Sequence, residues 1–172
     1  MGALYSFSQL KNKPVYDNND KWLGTVEDLI MYKNGKLYGL RIDKNSLFLR
    51  DSVIPISKIK RIDDEKIRVG DKAAHSLDEI RDEYLSVDSV WLDREVVCEK
   101  GNFIGLVKDV YFSLQVGMIE ILEISEGWFT DLLAGRKYCF IRDLESDDDK
   151  KCLIVRGGLR DEMPKLHEQK FR

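Results

Sequence analysis

Two aspartates carry the combination of residue type and spacing that most invites a chemical reading. Asp28 stands in Trp22-Leu-Gly-Thr-Val-Glu-Asp-Leu-Ile30 and Asp109 in Phe103-Ile-Gly-Leu-Val-Lys-Asp-Val-Tyr111, at the same place of the same pattern. A repeated carboxylate can act in acid–base chemistry, bind a cation, or accept hydrogen bonds from backbone amides. Paired acid–base work needs both groups in one cleft, and these two belong to separate copies of the pattern. The structural use is therefore expected. On a strand face shared with Val26 or Val107, a buried carboxylate must be partnered, most simply by N–H groups of an adjacent turn.

The remaining candidates point away from catalysis. His75 and His167 have no Cys or His at ligand spacing. Cys98, Cys139 and Cys152 form no CxxC pair, so buried reduced thiols are expected rather than a zinc site or a disulfide framework. Asp147-Asp-Asp149 lacks the glycine and terminal glutamate of a calcium loop and reads as a solvated turn. Gly24 and Gly105 neither open a helix nor sit in a glycine-rich loop. Close approach of backbones in a curved sheet explains them better than phosphate binding. Nucleophile elbows and Walker-type loops are absent. No catalytic residue, metal or cofactor is expected.

The elements that hold these residues follow from alternation. Trp22, Gly24, Val26, Asp28 and Ile30, and in the second copy Phe103, Gly105, Val107, Asp109 and Tyr111, recur every second residue, the period of a strand. A chain of 172 residues with an internal repeat divides into two small units. Hydrophobic residues are 43% and charged residues 34%, enough for two packed cores with soluble exteriors. A net charge of −3 argues against a general binder of nucleic acid, which needs clustered Lys and Arg in excess. The longest apolar runs fall far short of the roughly 20 residues that cross a bilayer, and no leader pattern opens the chain. A cytoplasmic protein without a transmembrane segment is expected.

Along the chain, Met1 to Leu10 leads into the first unit with Leu4, Tyr5 and Phe7 free to pack on a partner not identified by the sequence. Pro14 to Tyr16, the Asp17 to Lys21 turn and the Trp22 strand form a hairpin. Asn34-Gly35 turns into a strand from Leu37 to Asp43. A possible strand at Leu47 to Leu49, then Ser52 to Ile56 with Pro55 at an edge, and Ile59 to Val69 complete it. Between Asp71 and Leu85, Leu77, Ile80, Tyr84 and Leu85 fall at helical spacing behind a Ser76–Glu79 capping box, which predicts a partly helical linker. The second unit repeats the first, with Tyr138 to Ile141 answering Val53 to Ile56 and Cys152 to Val155 answering Ile67 to Val69.

The run of apolar-Gly-x-Val-x-Asp, hairpin, Ile-Pro-Ile-like strand and final strand, over about Leu10–Val69 and Leu92–Val155, resembles the PRC-barrel family. That family includes the cytoplasmic domain of the photosynthetic reaction-centre H subunit, the C-terminal domain of a ribosome maturation factor, and small bacterial tandem proteins. The resemblance implies a binding and assembly module with no shared catalytic residues. The expected fold is all-β: two small antiparallel β-barrels, residues 1–70 and 90–157, each with its own core, joined by the linker 71–89 and followed by a charged tail 158–172. The second unit holds one insertion, Ser125 to Arg136, where Phe129, Leu132 and Leu133 fall at i, i+3 and i+4. That turn either plugs an open end of its barrel or, with Trp128, faces a partner. Trp128, Phe129, Leu132 and Leu133 are the candidate partner-binding residues. The expected partner is an unidentified protein or a second copy, with a small-ligand or enzymatic role for an inter-barrel groove as the alternative.

Overall fold

The computed structural model describes residues 4–44, 52–77, 84–147, 149–156 and 158–162. The expected strand at Leu47 to Leu49, the Glu79 and Ile80 part of the expected helix, His167 and the end of the tail lie outside these residues. The first half contains β1 (Leu4–Ser6), α1 (Phe7–Leu10), β2 (Pro14–Tyr16), β3 (Trp22–Tyr32), β4 (Leu37–Asp43), β5 (Ser52–Pro55), β6 (Ile59–Ile62), β7 (Ile67–Val69) and β8 (His75–Ser76). The chain continues through β9 (Tyr84–Ser86), α2 (Val87–Trp91), β10 (Glu95–Cys98), β11 (Phe103–Ser113), β12 (Met118–Ser125), α3 (Trp128–Ala134), β13 (Lys137–Phe140), β14 (Leu144–Asp147) and β15 (Cys152–Val155).

Two sheets result, one in the order β6-β7-β2-β3-β4-β5-β8 and one in the order β13-β12-β11-β10-β15-β14. Each curls around its half. A single 3-10 turn, Ile56–Lys58 or Ile141–Asp143, carries the chain across the open corner between two strands that share no ladder. The pairing is not antiparallel throughout. β7 lies parallel to β2, with Val15 opposite Ile67, and β15 lies parallel to β10, with Val96 opposite Leu153. Alternation reports which face a residue takes but not strand direction, so this pair was not readable from the pattern.

The long strands also break their own alternation. Glu27 is an extra residue between the Val26–Ile42 and Asp28–Arg41 pairs, and Lys108 is extra between Val107–Ile124 and Asp109–Glu123. Such a bulge shifts the phase by one residue. Val26, Leu29 and Met31 consequently point into the main core, as do Val107, Val110 and Phe112. Asp28 and Asp109 thus leave the face of Val26 and Val107 on which they were expected.

Within the linker 71–89, Tyr84 and Leu85, expected at helical spacing, lie in a strand instead. Ser76 pairs with Ser52, and Tyr84, Leu85 and Ser86 pair with Tyr32, Met31 and Ile30. Alternating Tyr84-Leu-Ser86 finds an open strand edge, which outweighs a weak local helical spacing. The helix starts later, at Val87, where the Ser86 hydroxyl accepts the Ser89 amide at 3.1 Å.

Strand exchange joins the halves. β3 and β11 each offer one edge to two partners. The first part of β3 pairs with β2, and its end pairs with β9, the leader of the second half. The first part of β11 pairs with β10, and its end pairs with β1, the leader of the first half. The unidentified partner of Leu4, Tyr5 and Phe7 is thus the other half of the same molecule. The hairpin tips meet as well, where the Leu37 amide donates to the Gly117 carbonyl at 2.8 Å. The expected pair of separate cores is replaced by one cluster containing Phe7, Leu10, Val15, Leu29 and Leu40 together with Val96, Val107, Val110, Phe112 and Leu122. Phe7 and Leu10 are no more than 1% exposed, and burying two such side chains stabilises by roughly 3–6 kcal/mol.

Candidate functional site

Asp28 and Asp109 sit where the shared edge changes partner. At Asn12, whose amide donates to the Val26 carbonyl at 2.8 Å, the chain preceding β2 leaves β3, and β9 joins only at Ile30. The gap leaves the Leu29 amide without a ladder partner. Asp28 Oδ1 fills the gap: it accepts the Leu29 amide at 2.7 Å and, from the incoming α2, the Asp88 amide at 3.1 Å. Oδ2 accepts the Ser86 hydroxyl. Asp109 repeats the device, accepting the Val110 amide at 2.9 Å and the Ser8 amide of α1 at 3.1 Å, while the Ser8 hydroxyl donates to Oδ2. A carboxylate facing the first turn of a helix also meets the positive end of its dipole. Each aspartate therefore pins the leader of the other half to its own strand. Burial raises the Asp28 carboxyl above its ordinary range, against the lowering effects of Ser86, the two amides and Arg41.

Gly24 and Gly105 lie one strand-width from backbone. A Cβ at Gly24 would stand 2.5 Å from the Asp43 carbonyl oxygen, and one at Gly105 2.2 Å from that of Ser125. Gly24 also has φ +147°, which side chains rarely adopt.

The insertion builds a different kind of site. α3 spans Trp128–Ala134 between Gly127 at φ 122° and Gly135 at φ 75°, and none of its residues is buried. Trp128 is 80%, Phe129 65%, Leu132 68% and Leu133 72% exposed. They do not plug the barrel. Four such side chains present on the order of 500 Å² of apolar surface, large for one patch on a monomer.

A seven-residue helix with no buried face is not stable by itself. Polar anchors hold it. Asp131 Oδ1 accepts the Glu126 amide at 3.2 Å, and Arg136 Nε lies 3.5 Å from Asp131 Oδ2. Arg136 also donates to Glu123, a carboxylate only 6% exposed, whose other oxygen accepts the Tyr111 hydroxyl. The Glu123 carboxylate raises the Arg136 pKa through this bond, and burial with Glu123 alongside raises that of Tyr111. Tyr138 stands over the same group, its ring 6.1 Å from that of Tyr111. Glu123, Arg136 and Tyr111 did not stand out in the sequence. The sequence signal was weak: Glu123 is one of two glutamates in the mostly apolar strand Met118–Ser125, and only the register places it opposite the repeated aspartate.

A cleft of about 390 Å³ lies between the hairpin tips of the two halves, lined by Tyr32, Tyr38, Lys36, Pro55, Ile56 and Gln115 among others. Among the described residues, Lys36 is its one charged lining residue. The other candidates are dispersed. His75 is exposed in β8, Cys139 and Cys152 are buried, and Cys98 is half-buried. Burial pushes the Cys139 thiol up to about 11, which leaves it unreactive near neutral pH. Asp147 closes its turn by accepting the Lys150 amide at 3.1 Å. No helix among the described residues is long and apolar enough to cross a membrane.

Comparison with known proteins places this architecture. A protein of Bacillus subtilis (strain 168), named Uncharacterized protein YrrD, is 24% identical over 157 residues, covering 90% of this chain and 89% of that one. The family model described as PRC-barrel domain matches residues 3–74 and again residues 88–158. The first match begins next to the β1 leader, and the second begins inside α2, so both run through the strands that carry Asp28 and Asp109. The chain belongs to the PRC-barrel family, with two such domains in tandem.

Proposed function

We propose that the protein is a non-catalytic binding module that assembles with a partner protein through α3, in the cytoplasm. The observation that carries this reading is the exposed cluster Trp128, Phe129, Leu132 and Leu133 on a helix held in place by the Asp131–Arg136–Glu123 network. Exposing that much apolar surface costs solubility unless something covers it, and aromatic residues dominate the binding energy of interfaces. A protein surface suits α3 better than an anionic membrane. The cations that follow it are already paired, Arg136 with Glu123 and Asp131, Lys137 with Asp161. The non-catalytic reading is supported by the buried carboxylates, since Asp28, Asp109 and Glu123 are each occupied by structural donors.

The test is the double substitution Phe129→Ser, Leu132→Ser. Both side chains are exposed, so the melting temperature should stay within the small range of surface substitutions. Extracts of the native host passed over wild-type and variant protein should yield a protein retained by the first and lost by the second, or sedimentation should show self-association that the variant lacks. Identical retention and identical sedimentation would end the reading. A second reading, small-ligand binding in the cleft between the hairpin tips, rests on its volume alone. Thermal shift by a small-molecule library, abolished by filling the cleft with Gln115→Trp, would favour it.

A further inference from the structure

The exchange between the halves has the form of a plug and a socket, made twice. Each plug is a leader, β1 with α1 or β9 with α2; each socket is the free end of a long strand edge with its aspartate, Asp109 on β11 or Asp28 on β3. We infer that this joint is a self-sufficient interaction surface, which holds the halves together without their covalent connection, and that its partner is the complementary half of a second copy of this chain.

The contacts that make the joint are non-covalent; β1 and α1 lie far from the connecting segment in sequence, and β9 with α2 follows directly after it. Leu4, Tyr5 and Ser6 pair with Ser113, Phe112 and Tyr111, and Tyr84, Leu85 and Ser86 pair with Tyr32, Met31 and Ile30. Phe7 and Leu10 of one leader and Val87 of the other are fully buried in the shared core. The leaders also touch each other, Lys11 Nζ lying 2.7 Å from Asp88 Oδ2. Because each half gives one plug and receives one, the arrangement is reciprocal and closes on itself. Nothing in it requires both halves to come from one chain. Two copies that open this joint can therefore close it with each other through the same contacts, in the manner of exchanged domains.

The experiment uses the full chain with a specific protease site inserted between Leu77 and Tyr84. After cutting, both fragments should co-elute at the mass of the uncut protein under native conditions and part only in denaturant. When cut protein carrying a tag on its first half is mixed with untagged cut protein, carried briefly through moderate urea and diluted back, the tagged half should recapture untagged second half. Asp28→Asn and Asp109→Asn, introduced into the cut protein, should each weaken the association of fragments at least tenfold. Elution of two separate folded fragments, or loss of either to aggregation upon cutting, would overturn the inference. An unchanged dissociation constant in both variants would remove the aspartates from the joint.

Discussion

The strand pairs β3–β4 and β11–β12 share a pattern and differ in the charge of the residue that faces the repeated aspartate. Across the bulge, Asp28 looks onto Arg41 in the first half, while Asp109 looks onto Glu123 in the second. In the first arrangement the facing cation comes from the sheet itself, and Arg41 also pairs with Glu27 at 3.1 Å. The second places a carboxylate opposite a carboxylate, and the charge has to be met from elsewhere. Arg136, at the end of the α3 insertion, meets it. What the two halves keep in common is the pin for the other half's leader; where they differ, the second half anchors its exposed helix. The fold and the candidate binding surface thus rest on adjacent residues of the same ladder, with separate partners.

The comparison breaks most visibly at the pins. Asp28→Ala or Asp109→Ala strands two backbone amides and a serine hydroxyl in the joint, a loss of about 3 kcal/mol each. The two variants should fall alike in urea denaturation. A large loss in only one would show that the joint is not reciprocal. Next come the glycines. Gly24→Ala and Gly105→Ala each drive a methyl group into a carbonyl oxygen of the neighbouring strand, at a cost of about 2 kcal/mol, and at this chain length each kcal/mol lowers the melting temperature by roughly 2–4 °C. Unchanged melting in both would dismiss the steric account.

Arg136→Ala separates the halves rather than uniting them. It leaves Glu123 with Tyr111 alone, for about 1–2 kcal/mol, and amide hydrogen exchange should accelerate in α3 while β3 and β4 stay protected. Acceleration spread equally through both sheets would contradict a local anchor. The smallest effect concerns pH. The Asp28 pKa is raised in the folded state, so folding binds its proton more tightly than the unfolded chain does. The ionised group therefore costs stability at neutral pH, and that cost is relieved as pH falls through the raised value towards the ordinary value of 3.8. Wild type should gain stability relative to Asp28→Asn over that window. A constant difference between them from pH 7 to 4 would contradict the raised value.

Sequence by itself determined the repeat, the β class, the long strands at Trp22 and Phe103, and the glycine positions. These are local or periodic properties, and alternation with turn residues reports them directly. It also singled out the insertion from Ser125 to Arg136, because a break in a repeat is visible without any coordinates. Three things were decided only by tertiary structure. Ser76, Tyr84 and Leu85 went to strands because an open edge of the sheet awaited them, and no local pattern reports a distant edge. The bulges at Glu27 and Lys108 moved Asp28 and Asp109 to another face, since a one-residue register shift depends on the facing strand. The crossing of the leaders, with the shared core that follows from it, joins residues such as Ser8 and Asp109 that are remote in the chain. Both halves offer equivalent edges, so sequence periodicity fits a leader docked at home or away, and only packing in three dimensions chooses between them.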